Sequence, residues 1–339
     1  MTGPEASGMD PDLVELAGSV LGTADPAGAG LDTPLWARLT ETGLDRVAVP
    51  EPAGAGGGLL DLAAVLVEAG AAAARVPVLE TDLAARLATA AGLDVPAGPL
   101  AFHAGPLRIE DGTVTGTLPR LAWGRCAAAV VVLAGDTVAV LDPAGVVIVE
   151  GTNVAEEPRD TLVADAAPAA TAAAPPGAAP EQELRAALGR ALLLAGAART
   201  ALTRSVAYAG ERVQFGRPIG RFQAVQQQLA LAAAEVAAAS AATEAAALIA
   251  AREGFAATGA HVAVAAAKVR AGDAATAVAR IAHQVHGALG FTREHDLRLA
   301  TTRLWAWRDE DGSDALWAER LGGLVADAGP DGLWPLVTG

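Results

Sequence analysis

Cysteine is almost absent from this chain: Cys126 is the only one in 339 residues. That excludes an internal disulfide and a cysteine-based metal cluster, and leaves the thiol as a small buried residue. Aromatic residues are scarce as well, at 4%, so the core must be built from Ala, Leu and Val, and helices lined with such small residues can approach closely. Basic side chains number 24 against 39 acidic ones, a formal net charge of −15. No run of Lys or Arg supplies the concentrated basic face that neutralising several phosphates requires, which excludes nucleic acid as a partner. No uninterrupted apolar stretch of about 18 residues marks a membrane span. The segment MTGPEASGMDPD has neither the basic region nor the apolar run of a secretory signal, so the expectation is a cytoplasmic protein with no membrane partner.

What is present suits a soluble enzyme subunit. With 52% hydrophobic residues the chain can bury a substantial core, and its length suggests two or three subdomains. Residues 1–95 read as an N-terminal helical domain, because Asp12–Leu21, Pro34–Thr42, Leu59–Ala74 and Glu80–Ala91 show apolar recurrence near the helical period. Residues 96–167 change to short alternating runs: Leu107–Glu110, Thr113–Thr117, Ala128–Leu133, Thr137–Leu141, Val146–Val149 and Thr161–Ala164. Turn signals such as Asp111-Gly112 and Gly135-Asp136 separate them, which predicts a small antiparallel barrel or sandwich. Residues 168–180, PAATAAAPPGAAP, read as a linker. Residues 181–339 predict long helices at Glu181–Arg212, Phe222–Glu253 and Ala256–Leu289, with a shorter pair from Leu297 to Ala328, packed as a four-helix-type bundle. The fold class expected is α+β, mainly α.

Several features carry little chemistry. Gly54, Gly56, Gly57 and Gly58 crowd together but lack the Lys-Ser/Thr of a phosphate loop, and Pro50 and Pro52 break any strand leading in. His283 and His286 lie one turn apart, yet no nearby carboxylate or Cys completes a ligand set, and His295 beside Asp296 reads the same way. In Trp307–Asp314, Gly312 comes too soon after Asp309 for an EF-hand. No metal is expected.

The most informative tract is Ala207–Gln223, AYAGERVQFGRPIGRFQ. Arg212, Gln214, Phe215 and Gln223 place a fixed cation, an aromatic ring and two amides around a Gly-Arg-Pro break. Gly216 permits unusual backbone angles and Pro218 holds Arg217 out of the helical region, so the chain turns between two helices. A guanidinium binds phosphate through charge-assisted hydrogen bonds, and Phe215 could lie against a ring. Taken alone, the same residues also read as a solvated cap and a core aromatic.

Further along stand Gln284-Val-His-Gly287-Ala-Leu-Gly290 and then Thr292, Arg293, Glu294 and His295. With Arg212-Val-Gln-Phe215-Gly216 and Phe222-Gln223, this ordered set resembles the C-terminal helical domain of the acyl-CoA dehydrogenase family, over roughly Glu181 to Gly323. The resemblance implies FAD as cofactor, contacted by Arg212, Gln214, Phe215, Gln223, Gln284, Gly287 and Ser313. It implies an acyl-CoA substrate, a homologous subunit in a dimer or heterotetramer, and an electron-transfer flavoprotein as redox partner. It also implies a carboxylate base, because desaturation removes the proton next to the thioester carbonyl while flavin takes a hydride from the neighbouring carbon.

The family commonly places a Glu before Gly-Thr or Gly-Ser; here Asp311 precedes Gly312-Ser313, with Glu310 available if the turn shifts. Aspartate is one methylene shorter, about 1.5 Å of reach. The family's acidic flavin-contacting loop of the β-domain has no counterpart, and this β-domain looks abridged; Trp123 is its candidate aromatic wall. Two functions follow: a flavin-dependent acyl-CoA dehydrogenase subunit, or a non-catalytic subunit of that fold that completes a partner's flavin site. A helical scaffold without cofactor would require the ordered motifs to be accidental. Ala-rich helices leave room for a bulky or polycyclic acyl group, in fatty acid or steroid side-chain metabolism.

Overall fold

Strands form where apolar residues alternate. In the computed structural model, which describes residues 8–292 and 295–338, they are β1 (Leu100–Ala104), β2 (Arg108–Glu110), β3 (Thr113–Ala122), β4 (Ala129–Ala134), β5 (Thr137–Leu141), β6 (Val147–Val149) and β7 (Arg159–Ala173). They build one sheet in the order β1-β4-β5-β7-β3-β2, with β6 beside β7. Every pairing is antiparallel except β1 with β4. Successive side chains point to opposite faces. Val130 and Val132 therefore join Val114, Leu118 and Leu162 on one face, while Val131 and Leu133 join Leu100 and Val138 on the other.

The structure departs from the expected linker. Pro168–Ala173 is the second half of β7. The strand pairs first with β3 and then with β5, Leu141 facing Ala169 and Thr137 facing Ala173. Ala166 at φ +50 lies in the register shift opposite β3, between Ala164 and Ala167, and its N–H donates to the Thr115 hydroxyl, as expected where a bulge bends a strand. Cross-strand hydrogen bonding overrides a composition that looks structureless. The linker begins only after that strand, ahead of the helix starting at Ala178.

The chain divides into two compact units. One comprises Glu15–Leu62 and Arg75–Ala186 and holds the sheet together with α2 (Thr33–Glu41) and α4 (Val78–Ala90). Ala84, Leu87 and Ala88 of α4 pack on Leu100, Val131 and Leu133. Trp123, in the left-handed conformation at φ +60, is buried here, as an ordinary core residue rather than an open wall.

The other unit comprises Met1–Val14, Ala63–Ala74 and Ala187–Gly339. Its helices include the later parts of α3 (Leu59–Ala71) and α5 (Ala178–Glu211), then α6 (Gln223–Glu253), α7 (Thr258–His286), α8 (Leu297–Arg308) and α9 (Asp314–Thr338), the last broken at Gly329. Within this unit α3 and α5 cross on glycines: a Cβ at Gly70 would meet the Leu193 carbonyl, and one at Gly196 the Val67 carbonyl. The buried seam of α6 is Ala232, Val236, Ala239, Thr243, Ala246 and Ala250, a spacing of alternately four and three residues that keeps one face on α7. By length and hydropathy α6 also passes as a membrane span, and only 33% of that stretch is buried.

Asp82 of α4 is 1% exposed, and neither carboxylate oxygen has a hydrogen-bond partner among the described residues. Burial pushes its pKa up to about 6, opposed by Arg86 and Arg185. The folded state therefore holds this proton more tightly than the unfolded chain does. Its stabilising contribution is complete below the ordinary carboxylate value and is lost as pH rises through about 6, about 3 kcal/mol at most. Asp82→Asn should therefore raise the thermal midpoint at pH 7.5 by a few degrees and flatten the pH dependence between about 4 and 6. Melts of both proteins at pH 4.5 and 7.5 check this; an unchanged difference between the two pH values would count against it.

Candidate cofactor-facing site

At the end of α5 the chain folds back as a hairpin of β8 (Val213–Gln214) and β9 (Arg217–Pro218), closed by the Ile219 N–H donating to the Arg212 carbonyl. The sequence predicted a turn between helices; the structure makes it a two-residue β-turn. Both central residues, Phe215 at φ +53 and Gly216 at φ +78, have the positive φ that such a tight hairpin requires. Glycine adopts that conformation freely, whereas a side chain there costs on the order of 1 kcal/mol. Phe215 accepts the strain and is 92% exposed, edge-on to Phe222 at 6.1 Å. The Arg217 guanidinium covers the Phe222 ring at 4.3 Å. Arg212, Gln214 and Gln223 are all exposed, and the Arg212 guanidinium has no ion-pair partner among the described residues.

A second group lies at the end of α7. Gly287, at φ +61, stops the helix, its N–H donating to the His283 carbonyl. Gly290 is required because a Cβ would press on His286 at 2.9 Å. Gln284 and Gly287 are exposed and border a cavity of about 480 Å3 that Thr276, Arg280, His283 and Trp305 also line. Trp305 stacks on His283 at 5.1 Å and 10°, and the His283 Nε2 meets the Thr301 hydroxyl at 2.9 Å. The two groups touch. Tyr208, one turn before Arg212, stacks on His286 with ring centroids 4.3 Å apart.

The third group is the acidic turn between α8 and α9. Arg190 of α5, 4% exposed, binds Asp311 at 2.8 Å through Nε and Glu310 at 3.4 Å through Nη1. From the other side the fully buried Lys268 of α7 donates to the Arg308 carbonyl at 2.8 Å and the Gly312 carbonyl at 2.6 Å. Burial pulls the Lys268 pKa down to about 8; Asp311 opposes that shift and Arg190 adds to it. Asp311 sits at φ +55, and its carbonyl accepts the Trp317 indole N–H at 2.9 Å. Ser313 caps α9, accepting the Leu316 N–H at 3.2 Å.

The site residues expected from sequence thus fall into two places. Arg212, Gln214, Phe215, Gln223, Gln284 and Gly287 gather at one end of α5 and α7. Asp311, Glu310 and Ser313 lie at the acidic turn, fastened to α7 at Lys268, 16 residues before Gln284, or ~24 Å along the helix axis. The first group fits an anionic dinucleotide: a guanidinium without an ion pair, three exposed amides and an open aromatic ring. Sequence reasoning missed Arg190, Lys268, Tyr208, Arg280 and Trp305. For Arg190 a signal existed, since a lone cation in the buried run LGRALLLAG needs a carboxylate partner.

The chain is similar to several known proteins. Residues 184–319 match the family model for the acyl-CoA dehydrogenase C-terminal domain. Acyl-CoA dehydrogenase IpdE2 of Mycolicibacterium smegmatis is 33% identical over 279 residues, covering 80% of this chain and 81% of that protein. The ChsE4–ChsE5 complex from Mycobacterium tuberculosis superposes with a TM-score of 0.81 at 24% identity, over 93% of this chain and 96% of that chain. A variant of the Tcur3481–Tcur3483 steroid ACAD superposes with a TM-score of 0.79 at 27% identity, over 94% and 97%. The fold and the ordered motifs define a flavin-dependent oxidoreductase, and the chain belongs to the acyl-CoA dehydrogenase family.

Removing the cation from the acidic turn should be costly, because two carboxylates would then face one another near a buried helix. Arg190→Met is expected to lower the unfolding free energy by about 2–4 kcal/mol. Urea unfolding checks it, and a loss below about 1 kcal/mol would mean that the pair is a surface contact of little weight.

Proposed function

We propose that this chain is a subunit of a heteromeric acyl-CoA dehydrogenase that desaturates an acyl-CoA thioester between its α and β carbons. It lends Arg212, Gln214, Phe215, Gln223, Gln284 and Gly287 to FAD and leaves proton removal to a homologous partner subunit. One observation carries this reading: Arg212, Gln214, Phe215, Gln223, Gln284 and Gly287 are exposed, and Arg212 has no ion pair among the described residues, whereas Asp311, the candidate base, and its neighbour Glu310 are both bound to Arg190. A base must reach the substrate proton at hydrogen-bond distance. An aspartate short by about 1.5 Å and held by a guanidinium is poorly placed to do so.

The roles follow from the groups themselves. Arg212 takes a phosphate with charge-assisted hydrogen bonds, Phe215 covers a ring face, and Gln214, Gln223 and Gln284 satisfy polar edges. When bound, FAD supplies the hydride acceptor. Two of the solved relatives are two-chain assemblies by name, which supports the division of labour, and the steroid acyl-CoA dehydrogenase among them supports a bulky, polycyclic acyl group. Electrons would leave to an electron-transfer flavoprotein.

A self-sufficient enzyme with Asp311 as base is the second reading. It is favoured by the Asp311 side chain, which stays 28% exposed despite its ion pair.

The visible absorption spectrum separates the two. The chain purified alone should be colourless and become yellow after co-expression with an acyl-CoA dehydrogenase homologue encoded beside it. Arg212→Ala in that complex should cut retained flavin by about tenfold or more, the loss of one charge-assisted contact. A yellow chain on its own, bleached by an acyl-CoA, would establish the second reading instead.

A further inference from the structure

The two flavin-facing tracts come from different helices, and their mutual placement depends on one contact. Tyr208 and Arg212 are four residues apart on α5, joined by the Arg212 N–H donating to the Tyr208 carbonyl at 2.8 Å. The Tyr208 ring lies on His286 at 4.3 Å and 21°, and its hydroxyl approaches the His286 carbonyl at 3.5 Å, a weak bond at most. His286 lies between Gln284 and Gly287 in sequence.

We infer that Tyr208 and His286 are positioning residues that fix the Arg212 tract against the Gln284–Gly287 tract, and that flavin binding requires His286 in its neutral form. The inference rests on the proposed flavin contribution of these tracts, which it deepens by naming what holds them in register.

The imidazole is built for the neutral state. His286 is 3% exposed and its Nδ1 donates to the Ala282 carbonyl at 2.8 Å. Its Nε2 has no hydrogen-bond partner among the described residues. Protonation would place a second N–H at that atom without an acceptor, a cost on the order of 1–3 kcal/mol. Among the described residues, the groups around it do not offset this. From α5 it meets Tyr208; from the segment before α8 it meets His295, edge-on at 4.9 Å; His283 is one turn back on α7. Arg204 of α5 and Asp296 pair with each other at 3.7 Å. The His295 Nδ1 is already taken by the Leu297 N–H at 3.1 Å, so His295 offers no acceptor there.

Burial holds His286 below the ordinary imidazole range; His295 acts in the same direction, and the Ala282 bond against it. A group with a depressed folded-state pKa contributes fully above its ordinary value and loses that contribution as pH falls through the lowered one. Flavin affinity should therefore be level above about pH 6.5 and fall on the acid side.

The test uses the co-expressed complex, with flavin binding read by absorbance and fluorescence titration from pH 5 to 8. Tyr208→Ala should weaken FAD binding about tenfold or more at pH 7.5, while Tyr208→Phe, which keeps the stacked ring, should stay within about twofold. His286→Phe keeps a ring on Tyr208 and removes the titrating group, so it should bind near the unsubstituted level at pH 7.5 and lose the acid-side fall. Unchanged affinity in Tyr208→Ala, or an acid-side fall that persists in His286→Phe, would overturn the inference. Arg212→Ala is the control on the underlying reading. If it binds flavin as tightly as the unsubstituted complex, the flavin assignment itself fails. If it weakens binding while Tyr208→Ala does not, only the positioning role fails.

Discussion

The ion pair of Arg190 with Asp311 and Glu310 is the constraint on which the functional reading turns. Arg190 is buried in an apolar run of α5, and a buried guanidinium without an anion would be strongly destabilising. The acidic turn supplies that anion and is thereby fixed. Lys268 and Trp317 grip the same turn through its carbonyls. The two carboxylates proposed for the base position are part of the frame that joins α5, α7, α8 and α9.

At the far end of α5 and α7 the opposite condition holds. Arg212 has no ion pair among the described residues, Phe215 is turned outward on a strained hairpin, and Gln284 borders an open cavity. Such groups kept exposed, with the carboxylates closed on a buried cation, are what the proposed sharing of a site with a partner subunit requires. Binding energy from these residues would act on the non-reacting part of a dinucleotide, orienting it without taking part in proton transfer.

Much of the fold was legible because its patterns are local. The 3.6-residue period located the helices, and alternation with turn residues located the strands from Leu107 onward. β1 escaped notice because LAFHA is short and its parallel partner, β4, lies 29 positions away in register, Leu100 against Ala129. Pro168–Ala173 escaped because Ala and Pro carry no strand signal of their own; pairing with β5 decides their state. The tracts proposed to contact flavin could be read as ordered motifs, yet the hairpin of Val213–Pro218 and the Tyr208–His286 stack could not. The Arg190–Asp311 pair spans 121 residues, and nothing in either neighbourhood names the other.

The central claim, that proton removal belongs to a partner subunit, is tested most directly by acyl-CoA turnover of the complex carrying Glu310→Gln and Asp311→Asn together in this chain. Turnover within about threefold of the unsubstituted complex is the result predicted. A loss of about a hundredfold or more, the contribution of a working general base, with the complex still folded and holding its flavin, would contradict the account and return the base to Asp311 or Glu310.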